Sequence, residues 1–172
     1  MPNLFKANTP MKIIYVHHEH RLKGSPAGPD DDITKLGTKD AKIVAEIMKI
    51  EAEKYKTPIK AIYCSPYYRC AKTAKIVNKK LNLPIIFDER LNEMGRDYGE
   101  TWVQMQQRMH DFLNEIVDKY DDSEAVIVVT SGVNVVTFFD VVSHQKPHED
   151  APTIWVPSCS PLIFEISKHN FK

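Results

Sequence analysis

The chain has 172 residues, with 23 Lys plus Arg balanced by 23 Asp plus Glu, and is 42% hydrophobic and 27% charged. Zero formal charge excludes a polycation that grips nucleic acid or an anionic membrane over its whole surface, so any anion site has to be local. The composition excludes a disordered chain, and the length suits a single domain over residues 1–172, with 1–11 as an N-terminal extension. Lys12–His17 is an apolar, β-branched run and is predicted as a buried strand. It leads into a loop rich in Gly, Pro and Asp. From about Gly37 to Tyr55 the apolar residues Ala41, Val44, Ala45, Met48 and Ala52 recur at helical spacing. Ile59–Cys64 is a second strand. Ser65 and Pro66 are expected to act as N-cap and first residue of a helix reaching about Leu81. Pro84–Phe87 is a third strand and Asp88–Gly99 a loop. Glu100 to about Tyr120 is a helix with Trp102, Met105, Met109, Phe112, Leu113 and Ile116 on one face. Ala125–Val129 is the clearest buried strand, followed by Thr130-Ser131-Gly132 and an apolar helix to about Val142. Ile154–Val156 and Leu162–Ile166 are late strands.

Alternation of strand and helix predicts an α/β three-layer sandwich, a mostly parallel central sheet with helices on both faces. Such sheets carry their sites beyond the carboxyl ends of strands, which selects His17–Arg21, Ser65–Arg69 and Thr130–Gly132. Met1–Met11 has no apolar core of a secretory signal, and no apolar run approaches the ~18–20 residues of a membrane span. Cys64, Cys70 and Cys159 are an odd set without pairing context, as in a protein with reduced thiols in the cytoplasm.

Three segments and a loop then combine. Ile14-Tyr15-Val16 runs into His17-His18-Glu19; Ile33-Thr34-Lys35-Leu36-Gly37 has the form of a helix start; Ser65-Pro66-Tyr67-Tyr68-Arg69-Cys70-Ala71-Lys72-Thr73-Ala74 is followed by Arg90-Leu91-Asn92-Glu93 and by Val128-Val129-Thr130-Ser131-Gly132. In this order they resemble the motifs of the histidine phosphatase superfamily, the phosphoglycerate mutase-like fold, over about residues 12 to 166. The Ser-Pro-x-x-Arg-x-x-x-Thr-Ala block is the specific part. The resemblance implies that His18 attacks phosphorus and is transiently phosphorylated, that Arg69 clamps phosphoryl oxygens, and that Glu93 is the general acid. It implies a phosphomonoesterase of a small phosphorylated metabolite, with substrate or inorganic phosphate as ligand and no cofactor, metal, nucleic acid or membrane partner. A mutase is less favoured, because the chain leaves little room for substrate-capping insertions.

The match departs from the family in three places: His17 stands where the first arginine belongs, Glu19 where a glycine belongs, and Ser131 where the second histidine belongs. Losing one preorganised donor to a developing oxyanion costs ~3–4 kcal/mol. His17 beside an anion is expected to have its pKa raised and to replace the arginine as a cation. Ser131 and the N–H groups around Gly132 can cradle phosphate at a helix start, and Arg21 and His20 can restore positive charge. The rival readings are a pseudo-phosphatase that binds phosphate without turnover and, from His17-His18-Glu19-His20 alone, a metal-binding module. Tyr67 and Tyr68 are read as packing or pocket wall.

Overall fold

The computed structural model describes residues 10–18, 30–55, 57–95, 99–143, 156–158 and 161–167. Strands β1 (Met11–His17), β2 (Ile59–Cys64), β3 (Ile85–Phe87), β4 (Ala125–Thr130) and β5 (Pro161–Ile166) form one sheet in the order β3-β2-β4-β1-β5. All neighbours run parallel except β5, which lies antiparallel on β1. Helices α1 (Lys35–Tyr55) and α2 (Tyr68–Leu81) pack against each other, as do α3 (Trp102–Lys119) and α4 (Gly132–Val142).

The period-2 alternation of a strand assigns each residue to one layer. Ile13, Tyr15, Tyr63, Val126 and Val128 join Met105, Met109 and Phe112 of α3 in one core. Ile14, Val16, Ile62, Ile127 and Val129 join Val44, Met48, Cys70 and Val77 of α1 and α2 in the other. Helices therefore cover both faces of a mostly parallel sheet, the predicted three-layer fold.

Differences from the predicted elements lie at their ends. Helix α1 begins at Lys35, where the Thr34 hydroxyl accepts a hydrogen bond from Gly37 N at 3.0 Å. Helix α2 begins at Tyr68 with Tyr67 at its N-cap, not at Ser65-Pro66. The reason is that Ser65 still belongs to the strand edge: its N–H donates to Val129 O at 3.0 Å and its hydroxyl donates to Asn92 Oδ1 at 2.8 Å. Helix α3 starts at Trp102 because Thr101 and Gln104 form a reciprocal capping box. The loop after β3 contains a 3₁₀ turn, Glu89–Leu91, capped by the Asp88 side chain. Of the late strand Ile154–Val156, Val156 lies outside any strand and the other residues lie outside the described ones.

Candidate active site

The site is built at the carboxyl ends of β1 and β4, the two adjacent central strands. His18 continues the β1 ladder by one residue, its N–H donating to Thr130 O at 2.8 Å. One step of alternation separates the two histidines: His17 turns towards the start of α4, and His18 towards α2. Their rings lie 4.6 Å apart and edge to face.

Arg69, in the first turn of α2, is fully buried. Its Nε donates to His18 Nε2 at 3.0 Å, its Nη2 donates to Glu93 Oε2 in an ion pair, and its guanidinium carbon lies 5.0 Å over the Tyr67 ring. Because the arginine donates, the lone pair of His18 is on Nε2, the atom that faces the guanidinium. Glu93 reaches this point from the loop after the 3₁₀ turn and remains 30% exposed. Beyond it opens a cleft of about 530 Å³ lined by Tyr67, Asn92, Glu93, Glu100 and Gln104.

The geometry thus brings together His18, Arg69 and Glu93, residues far apart in the chain. His17 and Gly132 share a second contact: the His17 ring packs so closely on Gly132 that a Cβ there would sit 3.0 Å from Cε1. Nδ1 of His17 is 3.0 Å from Val156 O, so this nitrogen carries the proton and Nε2 is left as acceptor in the neutral ring. Burial lowers the His17 pKa, outweighing the carbonyls of Val156 and Pro157 and the charge of Glu93, which raise it. The charge of Glu93 acts in the expected, raising direction, and burial outweighs it. In the folded pocket His17 is a neutral imidazole.

Ser131 occupies the N-cap position of α4, but its hydroxyl makes no capping bond; it donates to Asn134 Oδ1 at 3.4 Å. Arg21, Glu19 and His20 lie outside the described residues. Among the described residues no group of three potential metal-ligating side chains comes together. Cys64 and Cys70 are buried free thiols, and burial pushes Cys64 far up and Cys70 up to about 12, so neither is a nucleophile at neutral pH.

Sequence reasoning missed the residues that hold the acid loop. Asn134, wholly buried, donates from Nδ2 to Leu91 O at 2.7 Å, Asn92 O at 3.1 Å and Thr130 Oγ1 at 2.7 Å, while Thr130 Oγ1 donates to Leu91 O at 2.6 Å. With the Ser65 to Asn92 bond, these contacts fasten the segment before Glu93 to β4, α4 and the end of β2. Their one sequence signal is Asn134, a polar residue in the mostly apolar run Gly132–Val142, which also holds Thr137 and Asp140.

Residues 17–97 match the histidine phosphatase superfamily (branch 1). The matched stretch is 81 of the 172 residues, just under half of the chain. A Hydrogenobacter thermophilus protein named as a phosphoserine phosphatase is 34% identical over 114 residues, 60% of this chain and 52% of that protein. The chain thus spans about half the length of that curated relative. YhfR of Bacillus stearothermophilus superposes with a TM-score of 0.73 at 21% identity, over 91% of this chain and 92% of that one. The protein histidine phosphatase SixA, solved with tungstate, gives 0.69 at 13% identity over 93% and 91%. A mycobacterial glucosyl-3-phosphoglycerate phosphatase solved with VO3 gives 0.69 at 17% identity over 88% and 90%. No described helix is long and apolar enough to cross a membrane.

Proposed function

We propose that this chain is a phosphomonoesterase acting on a small phosphorylated metabolite through a phosphohistidine at His18, the whole chain folding as one domain. The observation that carries this reading is the contact of Arg69 Nε with His18 Nε2 at 3.0 Å, with Glu93 on the far side of the same guanidinium. An entering phosphoryl group takes Arg69 Nη2 from Glu93, since planar bidentate recognition of phosphate is what a fixed guanidinium does best. Its phosphorus then lies next to His18 Nε2, and the released Glu93 lies next to the ester oxygen. As Arg69 Nε turns to a phosphoryl oxygen the Nε2 lone pair is freed and attacks phosphorus, the P–O ester bond breaks, and Glu93, which takes up a proton from solvent on leaving the guanidinium, protonates the leaving oxygen. Water next attacks the phosphorus of phosphohistidine and gives its proton back to Glu93. The P–N bond breaks and inorganic phosphate departs. Backbone N–H groups at Ser131 and Gly132, aligned at the start of α4, add donors to the equatorial oxygens. Arg21 is proposed as a further phosphate ligand, and His17 joins it by taking a proton on Nε2, which the charge of a bound phosphoryl group favours.

The companion reading, a binder of phosphorylated ligands without turnover, is favoured by Ser131: its hydroxyl is turned to Asn134, where the family has a second histidine. An aryl phosphate separates them. Turnover by the wild-type chain, with a phosphoryl label trapped on protein and both lost in His18→Ala, supports the phosphatase. Equal negligible rates in wild type and His18→Ala, with phosphate still raising the thermal midpoint, support the binder. Arg69→Ala is expected to abolish phosphate binding under either reading, and normal affinity there would remove the site assignment.

A further inference from the structure

Helix α1 has a second apolar face that no described element covers. Its buried face presents Ala41, Val44, Ala45 and Met48 to the sheet and α2, yet Leu36, Ile43, Ile47 and Ile50 are 58, 50, 38 and 58% exposed. Their successive intervals of seven, four and three residues are those of a coiled-coil seam, and none of the four belongs to a core cluster. At 1.5 Å per residue this stripe runs about 21 Å. Exposed Ile163 of β5 lies beside its C-terminal end, where Ile163 and Glu51 line one cleft. Single exposed apolar residues are ordinary, but an aligned row on one helix marks a contact surface.

The charges beside the stripe say what fits it. The N-terminal half of α1 carries Lys35, Lys39 and Lys42 against Asp40, whereas the C-terminal half carries Glu46, Glu51 and Glu53 against Lys49 and Lys54. Lys39, Glu46 and Glu53 follow at intervals of seven along a single flank. When two identical helices pack antiparallel about a two-fold axis, the same flank meets itself in reversed order. With the axis beside Ile47, Lys39 faces Glu53 of the second copy at both ends, Ile43 faces Ile50, and Ile47 meets its counterpart. Glu46, which approaches its own image near the axis, is already paired with Lys80 of α2 at 2.7 Å, whereas Glu53 has a longer contact with Lys49, 3.9 Å, that leaves room for a second cation. A parallel pair would instead bring the two lysine-rich halves together.

We propose that α1 is the contact of a symmetric homodimer, two copies of the helix packed antiparallel about a two-fold axis beside Ile47. The patch is smaller than a standard interface, so the dimer is a weak one in the micromolar range. Analytical ultracentrifugation of the full chain between about 1 and 300 μM tests it. The wild type is expected to shift from monomer to dimer over that range. Ile47→Asp is expected to weaken association at least tenfold without lowering the thermal midpoint of the dilute monomer, since the side chain lies outside the core. Lys39→Glu should weaken association several-fold, and Lys39→Glu combined with Glu53→Lys should restore it. A chain monomeric throughout overturns the proposal. So does a dimer indifferent to Ile47→Asp, or a dilute Ile47→Asp monomer that melts several degrees lower, which would mean that the chain's own residues cover the stripe.

Discussion

A methyl group at Gly132 would sit 3.0 Å from His17 Cε1 and 3.4 Å from both ring nitrogens. Gly132→Ala is therefore expected to displace the ring from Val156 and to cost ~1–2 kcal/mol, read as a fall of roughly 2–6 °C in thermal midpoint for a chain of this size. In a His17→Ala background the space is open, and the same change should be neutral or stabilising by up to ~1 kcal/mol. His17 also sets a pH dependence. Its folded pKa lies below the unfolded value of 6.5, so the unfolded chain binds the proton more readily. Stability from this group is complete above about 6.5 and declines as pH falls towards the folded pKa. His17→Gln should flatten that decline in thermal melts between about pH 7.5 and 5. Where the missing second histidine limits the rate, Ser131→His should raise aryl phosphate turnover by tenfold or more; an unchanged rate would mean that the pocket is built around Asn134. His18, Arg69 and Glu93 were readable in the chain because motif spacing and strand ends locate them together. The state of His17 was not, because it depends on burial and on Val156, 139 positions away.

At the scale of elements, the loop that carries Glu93 is held by a neighbour remote in sequence. Asn134 of α4 supplies donors to the carbonyls of Leu91 and Asn92, and Asn134→Leu would leave Asn92 O without its side-chain donor and Leu91 O with Thr130 Oγ1 alone. The expected loss is ~1–2 kcal/mol, the cost of stranding a part-buried acceptor. Under the phosphatase reading, turnover should fall more than phosphate affinity, because His18 and Arg69 stay in place while Glu93 drifts. Steady-state kinetics beside phosphate-dependent melting distinguishes the two. Thr101→Ala removes one half of the α3 capping box, whose other half, Gln104, lines the cleft, and should cost ~1 kcal/mol in thermal melts. Apolar period revealed these helices, but their starts were set by hydrogen bonds. The Ser65 hydroxyl accepts from Tyr67 N ahead of α2 and donates to Asn92, so the helix starts after it, while Thr101 and Gln104 decide where α3 begins.

For the whole molecule, the alternation of strand and helix predicted the layers and the carboxyl-end location of the site, whereas the strand order β3-β2-β4-β1-β5 was beyond a reading of periods. Period says which face a residue takes and nothing about which strand lies beside it. The order matters because it draws His18, Arg69, Glu93 and Ser131 from the length of the chain into one place, so anion binding should stabilise the entire fold. Inorganic phosphate at about 100 times its dissociation constant is expected to add ~2.7 kcal/mol, and a midpoint unmoved by phosphate would count against the pocket. The position of β1 has a further consequence, during synthesis. Both of its neighbours, β4 and β5, lie more than 100 residues downstream. At ~5–20 residues per second the first strand waits roughly 6–20 s for a partner. For that interval Ile13, Ile14, Tyr15 and Val16 form an exposed apolar strand with no sheet to join. A nascent chain arrested before residue 125 is thus the species most exposed to aggregation, and the one for which a ribosome-associated chaperone would matter most.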